Sequence, residues 1–218
     1  MPRVVLIGSP VGHSLSPQMQ NAAFAARGLD WTYEARDVAP EELEGTLRSL
    51  ETGANITAPY KLDVARLLGS ELLSVNTLVV RSGEIEAHST DTSILQGLEP
   101  KRPAILGDGG AAVAFKQALP DARVFSRRGQ WPPEVAASDL VINATPVRDE
   151  ALVELRAGQT LVDLPYPESA TAEAARAAGA RVFDGLGVLV AQGAASFELW
   201  TGVPAPVEVM RRAVGLTP

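Results

Sequence analysis

The chain has 218 residues, 46% of them apolar and 21% charged, with a net charge of −7. At roughly 150 residues per domain this allows one large domain or two small ones, with a core that needs no metal or disulfide support. The absence of Cys and the presence of only two His exclude thiol nucleophiles, disulfide frameworks, Cys-based zinc sites and multi-His metal sites. The acidic balance argues against nucleic acid or an anionic membrane as partner. No apolar run reaches the ~18 residues of a membrane span, and MPRVVLIGSP enters a strand rather than a signal peptide. A cytoplasmic protein is expected. Only three of the 19 basic residues are Lys, so each Lys is easily inspected.

Short β-branched runs alternate with Ala/Leu-rich helical stretches. Arg3–Ile7 reads as a strand. Ser16-Pro17 reads as an N-cap followed by proline at the first helical position, and Gly28 as the stop. A strand over Trp31–Arg36, a helix over Pro40–Leu50 with an acidic first turn, and a short strand over Ala54–Thr57 follow. Leu62–Leu68 is helical. Leu72–Val80 and Ile85–Ala87 pair around Ser82-Gly83, and Asp91–Leu98 is helical.

A second series begins with a strand over Pro103–Leu106, a glycine turn and a helix over Ala111–Leu119. Strands over Arg123–Phe125, Leu140–Asn143, Thr160–Asp163 and Arg181–Phe183 follow, with a helix over Thr171–Ala178. Helices over Leu189–Trp200 and Pro206–Val214 close the chain. Such alternation predicts an α/β protein with parallel sheets and right-handed crossovers. Linkers near Glu99–Arg102 and Gly185–Gly187 predict a discontinuous domain, 1–99 plus 187–218, around a domain spanning 100–186. The ten residues between Arg128 and Asp139 leave no room for a β–α unit, so the second domain should hold about five strands with Arg123–Phe125 near an edge.

GDGGAA, Gly107 to Ala112, follows a strand and opens a helix, where small residues let the backbone approach a pyrophosphate. Asp108 is an awkward inclusion beside such a ligand. About 20 residues on, where an NAD site carries an acid for the ribose 2′-OH, the sequence reads FSRR, Phe125 to Arg128. Two guanidiniums and no acid point to a 2′-phosphate, hence to NADP. NITAPYK, Asn55 to Lys61, puts a Lys beyond a strand end, where open α/β sheets bind ligands. HSLSP with Ser14 and Ser16, VNT with Asn76, and STD with Asp91 fall at similar places. Together they describe a pocket for a polyhydroxylated ligand, with one Lys and one carboxylate.

In order along the chain, these motifs resemble the shikimate dehydrogenase family. GSPVGHSLSP is similar to its N-terminal substrate loop, NITAPYK to its Asn-Val-Thr-x-Pro-x-Lys motif, and SVNTLVV and STD to its Ala-Val-Asn-Thr and Asn-Thr-Asp motifs. GDGGAA stands for its glycine turn and SRR for its Asn-Arg-Thr. NATP, DLPYPESAT and GLGVLVAQGAASFELWTG complete the series. The resemblance implies a Rossmann-type NADP domain, a substrate domain and an active site between them, reducing 3-dehydroshikimate to shikimate reversibly, as a monomer or homodimer. Lys61 and Asp91 would be the catalytic pair. Ser14, Ser16, Thr57, Asn76, Thr90, Asp91 and Gln192 would hold the substrate, with Tyr166 between substrate and cofactor. Gly107, Gly109, Gly110, Ala111, Ser126, Arg127, Arg128 and Thr145 would hold NADP. The chain departs from the family pattern at Gln20, Ser89, Ile94 and Val188, and in the VRD that follows NATP. The alternatives are a dehydrogenase of quinate or an aminoshikimate, and a non-catalytic ligand-binding protein with the same fold.

Overall fold

The computed structural model describes residues 1–216. It divides into two compact units, Met1–Asp91 with Val190–Pro218, and Thr92–Leu189. The boundaries differ from the expected 99/100 and 186/187. Ile94, Leu95 and Val188 pack into an apolar cluster of the second unit, which draws their segments into it.

In the first unit β1 (Arg3–Gly8) leads to α1 (Ser16–Ala26) and β2 (Thr32–Asp37). A 3-10 turn over Pro40–Glu42 and α2 (Leu43–Arg48) precede β3 (Gly53–Ile56), α3 (Lys61–Leu67), β4 (Thr77–Arg81) and β5 (Glu84–His88). The sheet order is β2-β1-β3-β4-β5. β1 runs parallel to β2 and β3, but β4 is antiparallel to both β3 and β5. The sheet is therefore mixed and not parallel throughout, because β4 and β5 form a hairpin. Its two turn residues, Ser82 and Gly83, have φ of 53° and 83°, the φ signature of a type I′ turn. β4 starts five residues later than the apolar run Leu72–Val80 suggests. The Val75 amide donates to the Lys61 carbonyl instead, folding that stretch back over α3.

Ser16 is not the N-cap of α1. Leu15 holds that position and Ser16 is the first helical residue. The Ser14 hydroxyl accepts from the Ser16 amide, satisfying one of the free donors at this helix start. The helix expected over Asp91–Leu98 is a 3-10 segment, Asp91–Leu95. α6 (Gly185–Thr201) starts four residues earlier than predicted, the Asp184 carboxylate accepting from the Gly187 amide in its first turn. α7 (Val207–Ala213) follows.

One face of the first sheet packs Val5, Ile7, Ala54 and Ile56 against Leu43, Leu47 and Val64. Elsewhere in this unit Phe24 stacks on Phe197 with ring centroids 5.4 Å apart. The Trp200 indole donates to the Leu78 carbonyl at 2.9 Å. Only a glycine at 53 admits that indole, since a Cβ there would lie 2.6 Å from the Leu78 carbonyl oxygen.

In the second unit β6 (Pro103–Leu106), α4 (Gly110–Ala118), β7 (Arg123–Phe125), β8 (Leu140–Asn143), β9 (Thr160–Asp163), α5 (Ala170–Ala177) and β10 (Arg181–Phe183) build a parallel sheet. Its order is β10-β9-β8-β6-β7. It has five strands with β7 at an edge, as the short loop after Arg128 requires. Alternation divides its core. Ala104, Leu106 and Val141 face one way with α5, and Ile105, Leu140 and Ile142 the other with α4. Among the described residues no helix is long and apolar enough to cross a membrane.

Candidate active site

In the first unit the C-terminal ends of β1, β3 and β5 and the start of β4 meet at one edge of the sheet. Parallel pairing aligns the first two, through the Thr57 amide on the Ile7 carbonyl and the Ser9 amide on the Ala58 carbonyl. Antiparallel pairing brings Asn76 beside Ile56 and His88, and Thr90 and Asp91 lie two and three residues beyond His88. The loops bearing Ser14, Thr57, Asn76 and Asp91 thus leave a common edge. Lys61 begins α3 after the four-residue turn that follows β3.

Lys61 Nζ donates to both Asp91 carboxylate oxygens at 2.7 Å. The Lys61 side chain is 13% exposed and that of Asp91 5%. So little solvent means the pair is shielded from water and salt, unlike a surface ion pair. Asn76 is the hub around it. Its Nδ2 donates to Asp91 Oδ1 at 3.0 Å, to Thr90 Oγ1 at 2.9 Å and towards Gln192 Oε1 at 3.3 Å. Its Oδ1 accepts from the Thr90 amide at 2.6 Å. Lys61, Asn76, Thr90, Asp91 and Gln192 are therefore joined in one network. Ser14 bonds Ser16 next to the same edge, and Thr57 is half-buried there. Tyr166 belongs to the second unit, in the half-buried loop after β9.

Three supporting residues escape sequence reasoning. Ser196 lies one turn beyond Gln192 on α6, and its hydroxyl meets those of Thr77 at 2.9 Å and Thr90 at 3.0 Å. Asn55 Nδ2 donates to the Asn76 carbonyl, Thr77 Oγ1 and Ser196 Oγ at 3.0–3.1 Å. The i, i+4 spacing of Gln192 and Ser196 is the one sequence signal that places them on the same helix face.

The second unit contains a cleft of about 340 Å³ at the C-terminal ends of β6, β7 and β8. Gly107, Asp108, Gly109, Ser126, Arg127, Arg128 and Thr145 line it, with Trp131 and Val147. Gly110 and Ala111 form the first turn of α4, for which Gly109 is the N-cap. Gly107 has φ +116°, and a Cβ there would meet the Ala144 carbonyl oxygen at 2.9 Å, so only glycine lets these two loops approach. No Cβ contact arises at Gly109, which leaves open space before the helix N-terminus. A glycine cradle, a helix start and two arginines fit a dinucleotide phosphate. The expectation that no acid stands near the arginines is corrected. Arg127 Nη2 donates to Glu150 Oε1 at 2.6 Å, and Arg128 Nε lies 3.9 Å from Asp108 Oδ2.

Behind this cleft a buried polar chain fixes the loop after β8. Asn143 Nδ2 donates to Asp163 Oδ1 at 2.7 Å, which turns Asn143 Oδ1 towards the Thr145 amide at 3.1 Å and hydroxyl at 2.7 Å. Burial pushes the Asp163 carboxyl above its ordinary value, against the opposing hydrogen bonds of Asn143 and Ser169. The folded state then holds its proton to higher pH than the unfolded chain. This group's contribution to stability is complete below the unfolded pKa and is lost as pH rises through the folded one. Asp163→Asn removes that titration and keeps an acceptor for Asn143. Its melting temperature should therefore gain on the wild type as pH rises from about 4 towards neutrality. A constant offset across a pH series of melting curves would refute this.

A parallel-sheet unit with a glycine-turn cleft and a second unit carrying a buried Lys–carboxylate pair in a hydroxyl- and amide-rich network together define a dehydrogenase of the two-domain α/β class. The profile of the shikimate dehydrogenase substrate binding domain matches residues 6–76, and that of the shikimate 5'-dehydrogenase C-terminal domain matches residues 185–214. The NADP(+) shikimate dehydrogenase of Methanopyrus kandleri is 38% identical over 97% of this chain and 94% of its own length. Shikimate dehydrogenase of Aquifex aeolicus superposes with a TM-score of 0.86 at 29% identity, over 99% of this chain and 98% of that one. The Thermus thermophilus enzyme, solved in complex with NADP(H) and shikimate, gives 0.83 at 29% identity, over 98% of each chain. The chain belongs to the shikimate dehydrogenase family.

Proposed function

We propose that this chain catalyses the reversible NADP-dependent reduction of 3-dehydroshikimate to shikimate, with substrate held by the first unit and NADP by the second. The observation that carries the reading is the two-oxygen clasp of Lys61 by Asp91 inside the Asn76 network, in a chain of this family. The cofactor, when bound, supplies or accepts the hydride. Reduction of the ketone also needs a proton on its oxygen, and a cation there stabilises the developing charge. Lys61 provides both. Asp91 holds the ammonium in place and accepts from a neighbouring substrate hydroxyl. Asn76, Thr90, Gln192, Ser14, Ser16 and Thr57 supply the donors and acceptors that a polyol carboxylate requires. Tyr166 adds a hydroxyl from the second unit. A cytoplasmic monomer or homodimer goes with this reading.

A spectrophotometric assay with shikimate and NADP, run beside quinate and NAD, tests it. Faster turnover of quinate would shift the reading to that substrate, and failure to bind NADPH would leave a ligand-binding protein. Arg127→Ala should raise the KM for NADP about tenfold, the scale of a lost charge-assisted hydrogen bond. It should leave the KM for NAD nearly unchanged. Equal effects on both cofactors would assign Arg127 a structural role.

A further inference from the structure

The geometry points to Glu150 as a residue that sets the choice between NADP and NAD, an inference resting on the proposed reading of the second unit's cleft. Glu150 comes from the loop after β8, well beyond the place where a dinucleotide fold normally carries its ribose-binding acid. The structure nonetheless delivers its carboxylate to Arg127, at 2.6 Å. Arg127 lines the cleft and lies over the Trp131 ring, 5.8 Å from its centroid. The Arg127–Glu150 pair thus joins the two segments, 126–131 and 144–152, that wall the cleft.

The position of Glu150 is built into the backbone. The Leu152 amide donates to the fully buried Thr171 hydroxyl at 3.0 Å, and Val153 and Leu155 are buried just beyond. The Glu150 side chain itself is 58% exposed, open to a ligand. A carboxylate in that place does two opposite things. It accepts a hydrogen bond from a ribose 2′-OH, which favours NAD. It also competes with a 2′-phosphate for the Arg127 guanidinium and repels it, which disfavours NADP. Asp108 beside Arg128 acts in the same sense on the second arginine, at the longer distance of 3.9 Å. The wild-type site therefore discriminates between the two cofactors less than its two arginines suggest.

Binding of NADPH and NADH to the wild type, Glu150→Ala and Glu150→Gln, followed by tryptophan fluorescence and by calorimetry, tests this without turnover. Glu150→Ala should bind NADPH about threefold more tightly, the scale of a surface ion pair, and NADH about three- to tenfold more weakly, the scale of one hydrogen bond. Its NADPH preference should thus rise by about ten- to thirtyfold. Glu150→Gln, which loses charge but keeps an acceptor, should show the NADPH gain and most of the wild-type NADH affinity. Unchanged dissociation constants for both cofactors in both variants would overturn the inference while leaving the NADP site intact. So would weaker NADPH binding in either variant with a wild-type melting temperature. A wild-type protein that binds neither dinucleotide would overturn the cleft assignment itself, and Glu150's role with it.

Discussion

Lys61→Ala should lower the turnover number by about a hundredfold or more, equivalent to roughly 3 kcal/mol of transition-state stabilisation. The structure leaves little to replace the lost group. Lys61 is the cation within the Asn76 network, and its partner Asp91 is acceptor-only when ionised. Asp91→Asn should cost a similar order and also raise the KM for shikimate, since one oxygen would no longer be free to accept. Because the two side chains act as a unit, the double variant should be little slower than either single one. Removing one member of a shielded pair also strands the other's charge. Circular dichroism melts must therefore accompany the kinetics, and Lys61→Met, which keeps the aliphatic stem, separates packing from chemistry. A folded Lys61→Ala enzyme with near-normal turnover would sink the assignment and make Tyr166 or a water the proton source.

The second unit is the more legible half of the chain. Pro103–Leu106, Leu140–Asn143 and Thr160–Asp163 are four-residue strands with continuous apolar stretches, PAIL, LVI and LV, bounded by polar or turn residues. Strands of a parallel sheet covered on both faces must be of this kind, so pattern and boundary coincide. The first unit is harder because its apolar residues serve several purposes. Leu72 and Leu73 read as strand, yet Leu73 is exposed and the ladder begins only at Thr77. Gly185 and Gly187 read as a boundary, yet both lie inside α6, where the Asp184 cap outweighs their low helix propensity.

The site divides the same way. Lys61 and Asp91 sit in ordered motifs at strand ends, and the antiparallel pairing of β3, β4 and β5 brings those ends together. Asn55 and Thr77 lie within the NITAPYK and SVNTLVV motifs and Ser196 one turn beyond Gln192, but nothing local gives these three a role. They matter only because a strand, a hairpin and a distant helix converge, which is a tertiary fact. Glu150 was missed for the opposite reason. The spacing rule for a ribose-binding acid looks to the second strand of the nucleotide fold, and this acid arrives from the loop after β8.

Gly107→Ala should abolish most NADPH binding and destabilise the second unit together. Two costs coincide. A φ of +116° is one that residues with a Cβ rarely adopt, and the added methyl would lie 2.9 Å from the Ala144 carbonyl oxygen and 3.1 Å from its carbon. The opposing atoms are backbone, so no side-chain rotation relieves the contact. Strain of this kind costs about 1–3 kcal/mol, several degrees in melting temperature. Relief requires separating β6's exit from β8's, which are stitched by the Ala144 amide on the Leu106 carbonyl. That separation would move Thr145 and Val147 away from Gly109 and widen the cleft. Weakening of NADPH by tenfold or more is expected, read by fluorescence titration. Gly109→Ala is the control, because its φ is −81° and nothing lies within 4 Å of its Cβ. It should melt close to the wild type. It should still lose NADPH affinity, because the methyl would stand where a pyrophosphate approaches the start of α4. A Gly109→Ala protein that binds NADPH as tightly as the wild type would show that no phosphate comes to this turn, and the cofactor would have to lie elsewhere.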